Sequence, residues 1–186
     1  MKVGVLALQG AFIEHERRFG EFGCEVFEIR QLSHLPNSFD ALVLPGGEST
    51  AQSKLLHELG LFAPLKEAIL SGVKTLGTCA GAILLAKQIQ NSQTAHFATL
   101  DVEILRNAYG RQLGSFHTIS EFKGLGKVPM TFIRAPIFTA VGEGVEVLSE
   151  VEGRVVAVRN ATQLALSFHP ELDANNAIFE YFIKAM

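Results

Sequence analysis

Short apolar runs rich in aliphatic and β-branched residues recur along the chain: VGVLAL (3–8), CEVFEI (24–29), ALVLP (41–45), VKTLG (73–77), VEIL (102–105), TFIRA (131–135), VEVLS (145–149), RVVAV (154–158) and LALSF (164–168). Each has the length of a strand. Between the early runs lie segments of helical length: AFIEHERRFGEF, then STAQSKLLHELG with LFAPLKEAILSG, and after Cys79 the stretch AGAILLAKQI. This order predicts an α/β fold, a mostly parallel sheet with helices on both faces, flavodoxin-like in plan. Continuous rather than alternating apolar strands fit burial on both sides. In the second half the runs come closer together, which predicts hairpins and a small antiparallel extension. A closing helix, DANNAIFEYFIKAM, is expected behind Asp173 as its cap.

Composition narrows the class. A chain of 186 residues, 48% hydrophobic and without a linker or repeat, suits one domain spanning 1–186. Sixteen basic and 19 acidic residues are mixed along it, leaving no electrostatic footprint for nucleic acid or an anionic membrane. Small neutral or zwitterionic substrates fit better. No apolar run reaches the roughly 20 residues that cross a bilayer, and the apolar start lacks a signal peptide's cleavage region. Two cysteines form no disulfide framework, so a reducing, cytoplasmic setting is expected.

In an open α/β sheet, sites form beyond the carboxyl ends of the strands. Four segments occupy such positions: Gln9-Gly10, PGGEST, GTCAG and SFHPE. GTCAG has the form Gly-x-nucleophile-x-Gly, which permits a strained strand-to-helix turn exposing Cys79. The same small residues also suit close helix–sheet packing around a buried thiol. A helix beginning after Cys79 would favour thiolate, and the Ala80 amide would face a developing oxyanion.

An amide-cleaving thiolate needs a proton donor for the leaving amine, and histidine titrates nearest neutrality. Of six histidines, His15 and His57 read as helix-surface residues, and His34, His96 and His117 have no recognisable partner. His169 ends an apolar strand, with Pro170 holding it extended. Glu171, two residues on, would share its direction in extended chain and orient the imidazole. Taken alone, HPE reads more readily as a strand-ending turn. In PGGEST, Gly46 and Gly47 offer unusual backbone conformations and inward amides, with Ser49 or Thr50 as a helix cap. Gly47 and Ala80 together make a candidate oxyanion pocket, against the simpler alternative of a glycine turn and a cap. GLGK (124–127) lacks phosphate-loop spacing and reads as a plain turn, and Cys24 reads as packing. No cluster has metal-ligand spacing, so no metal is expected.

On these residues the chain resembles the class I, triad-type glutamine amidotransferases, and among them the glutaminase subunits of pyridoxal 5'-phosphate synthases. VGVLALQGAFIEH, LPGGEST, GTCAGAILLAK, RNAYGRQ, FIRAP, VEVLSE and SFHPEL carry the resemblance over nearly the whole chain. It implies Cys79 as nucleophile with His169 and Glu171 completing the triad. It also implies glutamine binding by Gly47, Glu48, Ser49, Arg106, Ile133 and Arg134; without it, both arginines read as surface charges. The implied activity is L-glutamine hydrolysis, with ammonia passed to a separate synthase subunit and no cofactor on this chain. Departures occur at Ala51, Ala82, Tyr109 and His117 and touch no triad member. Two alternatives stand beside this reading: another α/β cysteine hydrolase or a glutaminase serving a different biosynthetic synthase, and a noncatalytic flavodoxin-like binding module.

Overall fold

The computed structural model describes residues 1–109 and 114–185; Gly110, Arg111 and Gln112 of the RNAYGRQ stretch lie outside the described residues. In chain order the elements are β1 (Lys2–Leu6), α1 (Phe12–Glu21), β2 (Glu25–Ile29), β3 (Ala41–Leu44), α2 (Ser49–Glu58), α3 (Phe62–Leu70), β4 (Lys74–Thr78) and α4 (Ala80–Leu85). There follow β5 (Ala86–Ile89), β6 (Leu100–Leu105), β7 (Ser115–Phe122), β8 (Gly126–Ile133), β9 (Ile137–Val141), β10 (Glu146–Val151), β11 (Arg154–Arg159), β12 (Gln163–Leu166) and α5 (Ala177–Ala185).

The main sheet runs β2-β1-β3-β4-β12-β11-β9-β6-β5, with β10 paired to β11. From β2 to β12 every pairing is parallel; β12, β11, β9 and β6 then pair antiparallel, and β5 returns parallel to β6. Strands β7 and β8 form a separate antiparallel pair. The fold is therefore the expected α/β sheet with an antiparallel addition.

Successive side chains on a strand point to opposite faces, so the fully apolar strands feed two cores at once. Ala41 and Val43 of β3 pack with Phe19 of α1, Phe179 and Phe182 of α5, and Met130 and Phe132 of β8. Leu42 and Leu44 of the same strand pack with Leu56 of α2, Leu65 of α3 and Leu84 of α4. One layer of sheet thus sits between helices on each side.

Several local expectations are corrected. The helix after Cys79 stops at Leu85, and Ala86–Ile89 is strand: Ala86 takes an extended ψ of 136° and the segment pairs with β6. Tertiary pairing here overrides the helix propensity of AGAILLAKQI. TFIRA does not run extended to Ala135, because β8 ends at Ile133 and Arg134 adopts φ +44°. Asp173 does not cap α5: Asn175 Oδ1 accepts the Ala177 N–H at 2.8 Å, while the Asp173 carboxylate accepts from Thr131 Oγ1 at 3.1 Å. GLGK spans the turn after β7 and the first two residues of β8, with Gly124 and Gly126 at positive φ.

Candidate active site

β1, β3, β4 and β12 lie side by side in parallel, so their carboxyl ends and the loops that follow collect at one edge. There a cavity of about 370 Å³ is lined by Cys79 and His169 together with Gly47, Glu48 and Ser49. Arg106, Ile133 and Arg134 line it as well. Ala80 and Glu171 stand behind it, the first opening α4 and the second bonded to His169.

Cys79 sits between β4 and α4 at φ +48°, ψ −101°, a conformation that disfavours any residue with a Cβ. Its N–H donates to Leu166 O at 2.8 Å, which ties the turn to β12. The glycines around it answer to space rather than to φ. A Cβ on Gly81 would meet Leu44 O at 1.8 Å, and one on Gly77 would meet the Gly81 backbone at 2.8 Å. The Cys79 Sγ points toward the Ile133 carbonyl oxygen at 3.9 Å.

The opposing imidazole is His169, whose Nδ1 lies 2.6 Å from Glu171 Oε1. The extended geometry expected for this pair is corrected: Pro170–Leu172 forms a 3-10 turn, and that turn folds the carboxylate back onto the ring. The His169 N–H donates to Thr131 O at 2.8 Å, fixing the backbone against β8. Burial works against a charged His169, but bonding to Cys79 and Glu171 outweighs it and pushes the imidazole up to about 10. For Glu171, burial opposes the charge, and His15 and His169 overcome that and hold the carboxyl below its ordinary range.

The PGGEST loop differs from expectation in two respects. Neither Gly46 nor Gly47 is at positive φ. Both are required by close approach: a Cβ on Gly46 would meet His169 Cε1 at 2.3 Å, and one on Gly47 would meet Gln9 Oε1 at 2.4 Å. The cap of α2 is Glu48, not Ser49 or Thr50; its carboxylate accepts from Thr50 N–H at 3.1 Å and Ala51 N–H at 2.7 Å. Burial opposes that charge, while the two amides and Arg106 hold the carboxyl below its usual range. Arg106 Nη2 reaches Glu48 Oε1 at 3.0 Å. A cation, a carboxylate, a thiol and an imidazole thus line one cavity, a complement for a small zwitterion with an amide.

Gln9, placed at the site edge from sequence but given no role in the site, braces the glycine loop, and two further participants, Gln52 and His15, were missed. Gln9 Oε1 accepts the Glu48 N–H at 2.7 Å. Buried Gln52 Nε2 donates to Gln9 O and Pro45 O, bracing the loop. His15, expected on a helix surface, is fully buried. Its spacing held the signal: Phe12, His15 and Phe19 share the apolar face of α1. His117, expected without a partner, lies 3.2 Å from Asp173 Oδ1.

Residues 5–186 match the model of a family described as SNO glutamine amidotransferase. The chain belongs to the SNO glutamine amidotransferase family. Among relatives, a protein named pyridoxal 5'-phosphate synthase subunit PdxT from Desulfitobacterium hafniense (strain Y51) is 54% identical, the match covering 100% of this chain and 94% of that one. A protein of the same name from Methanocorpusculum labreanum is 55% identical over 99% of this chain and 97% of its own. A solved structure titled as a glutamine amidotransferase superposes with a TM-score of 0.92 at 43% identity, covering 98% of this chain and 97% of that one. As a member of the SNO glutamine amidotransferase family, the chain is a hydrolase acting on a carboxamide C–N bond. Among the described residues no helix is long and apolar enough to cross a membrane.

Proposed function

We propose that residues 1–186 act as one glutaminase domain, the ammonia-releasing subunit of a pyridoxal 5'-phosphate synthase. L-Glutamine enters the cavity with its amino acid end against Glu48, Ser49, Arg106 and Arg134, beside the Ile133 carbonyl. Cys79 thiolate attacks the side-chain amide carbon, and the Gly47 and Ala80 amides bind the oxyanion. His169, oriented by Glu171, protonates the departing nitrogen, so ammonia leaves and a thioester remains. The same imidazole then takes a proton from water, which adds to the thioester; collapse releases glutamate and restores the thiol.

One observation carries this reading: a strained cysteine and an imidazole backed by a carboxylate at 2.6 Å border one cavity with the Glu48–Arg106 ion pair. Relatives covering nearly their full length are named as synthase subunits, which supports a separate synthase chain as the ammonia acceptor. Free ammonia in water is largely protonated and loses its nucleophilic lone pair, so a sheltered route into the partner follows from the chemistry. The Gln9-Gly10 loop and α1, with Ile13 exposed upon it, form the contact region of that complex. Two free cysteines suit a cytoplasmic setting.

Glutamate formation by wild type and Cys79→Ala, each with and without the synthase subunit, tests the proposal. Activity is expected from wild type, enhanced by the partner, and absent from Cys79→Ala. Equal rates in both variants would sink the assignment of the nucleophile.

A further inference from the structure

Behind the cavity, α1 buries the imidazole of His15. His15 is fully buried, its ring edge-on to Phe179 with centroids 5.9 Å apart. Its Nε2 lies 3.1 Å from Thr78 Oγ1 and 3.4 Å from Glu171 Oε2. Thr78 Oγ1 in turn accepts the Gly46 N–H at 3.1 Å. A single ring therefore touches the carboxylate behind His169 and the residue that anchors the glycine loop.

Two features assign the proton of this imidazole to Nε2. His15 Nδ1 has no hydrogen-bond partner among the described residues, so a proton there would be a buried donor without an acceptor. With the proton on Nδ1, the Nε2 lone pair would also face the carboxylate oxygen of Glu171. Burial pushes His15 below its ordinary value, with the Glu171 charge pulling the other way.

The terminal torsion of a glutamate is broad, so one contact does not fix a carboxylate plane. Glu171 Oε1 is held by His169, whereas Oε2 has no hydrogen-bond partner of good geometry and lies beside His15. A second link runs from the start of α1 to the same loop, where the Ala11 N–H donates to Gly46 O at 3.1 Å.

We infer that His15 is a positioning residue of this site: its Nε2–H bonds Thr78, which keeps the Gly46 loop in register with the His169–Glu171 pair, and its ring, 3.4 Å from the outer oxygen of Glu171, confines that carboxylate. The inference rests on the proposed roles of Cys79, His169 and Glu171. His15 itself touches no substrate atom.

The test is glutaminase kinetics of His15→Leu and His15→Gln in complex with the synthase subunit, alongside inactivation by a chloroketone analogue of glutamine. His15→Leu is expected to lower kcat about ten- to a hundredfold, the range for loss of an orienting partner, with KM within about twofold. His15→Gln keeps an N–H at the ε position and is expected to recover most of that loss. Chloroketone inactivation slows in parallel with kcat. Wild-type kcat in folded His15→Leu overturns the inference, as does an equal loss in both variants, which would mark packing alone. Should His15→Leu fail to fold, Thr78→Val removes the bridging hydroxyl at nearly constant shape; unchanged kcat there overturns the inference too. Cys79→Ala separates the two possible failures. Retained activity in Cys79→Ala defeats the reading of the site, while an inactive Cys79→Ala beside a fully active His15→Leu defeats only the role of His15.

Discussion

His169 Nδ1 lies 2.6 Å from Glu171 Oε1, and both side chains are buried beneath the loops that frame the cavity. The two residues belong to one 3-10 turn and its N-cap, so the contact is local in sequence. What the rest of the fold supplies is the opposing cysteine, delivered by a neighbouring parallel strand.

Replacing the carboxylate tests its electrostatic role. Glu171→Gln keeps the shape but removes the charge that stabilises imidazolium, so kcat is expected to fall about 10²–10⁴-fold, the usual worth of a positioned acid–base group. Steady-state glutamate release in the presence of the partner measures it. A loss below about threefold would exclude the carboxylate from the acid–base step.

The same pair gives stability a pH signature. Burial disfavours charged His169, yet its bonds to Cys79 and Glu171 raise it from 6.5 to about 10 in the folded chain. Its contribution is therefore full below about 6.5, declines as pH rises and is gone above about 10. Glu171 is held below its ordinary value of 4.5, so its contribution is present above that value and is lost as pH falls. Thermal unfolding should show the wild type exceeding Glu171→Gln most between about pH 4.5 and 6.5, with the gap narrowing toward pH 10.

Much of this was legible in sequence, for reasons particular to each element. β1, β3, β4 and β12 are short apolar runs bounded by turns, and their buried faces leave few other readings. GTCAG and HPE announced themselves through residue chemistry at strand ends. Ala86–Ile89 was illegible because its strand state depends on pairing with β6, contributed from beyond residue 99. The Glu48 cap was hidden by the serine and threonine that follow it, both better known caps. His15 was misread because two flanking glutamates suggest a solvated face, while Phe12 and Phe19 place the residue on the buried one.

Glycines in and near the site separate space from flexibility. Gly46→Ala places a methyl 2.3 Å from His169 Cε1, so the imidazole must shift; kcat should fall at least tenfold while the protein stays folded. Gly20 lies in α1 with nothing within 4 Å of an added Cβ. Gly20→Ala should stabilise the chain by about 0.5–1 kcal/mol, measured by urea unfolding.

Arg106 and Glu48 divide binding from capping. Their 3.0 Å ion pair is well exposed, so its own worth to stability is about 0–1 kcal/mol. Arg106→Gln should therefore leave the urea midpoint nearly unchanged while raising KM for glutamine about tenfold or more, through loss of a charge-assisted contact to the substrate carboxylate. Glu48→Ala should do both kinds of harm, since it also removes the acceptor of two α2 amides, a loss of about 0.5–2 kcal/mol. Equal stability of the two variants would contradict this division.

The backbone at Cys79 carries strain of its own. Its φ of +48° with ψ −101° puts a residue bearing a Cβ where only glycine is comfortable, at a cost of order 1–3 kcal/mol. The turn is over-determined by its surroundings: Cys79 N–H is bonded to Leu166 O, and Gly81 already lies so close to Leu44 that the start of the helix cannot shift toward β3. Cys79→Ala and Cys79→Gly both delete the thiol, so both are expected to be inactive. Only the glycine variant also deletes the Cβ. Glycine loses about 0.5–1 kcal/mol through its freer unfolded chain, so the relief must exceed that to appear. Cys79→Gly should consequently unfold at higher urea than Cys79→Ala, by up to about 2 kcal/mol in extrapolated stability. A less stable glycine variant would show that the turn holds its cysteine without strain.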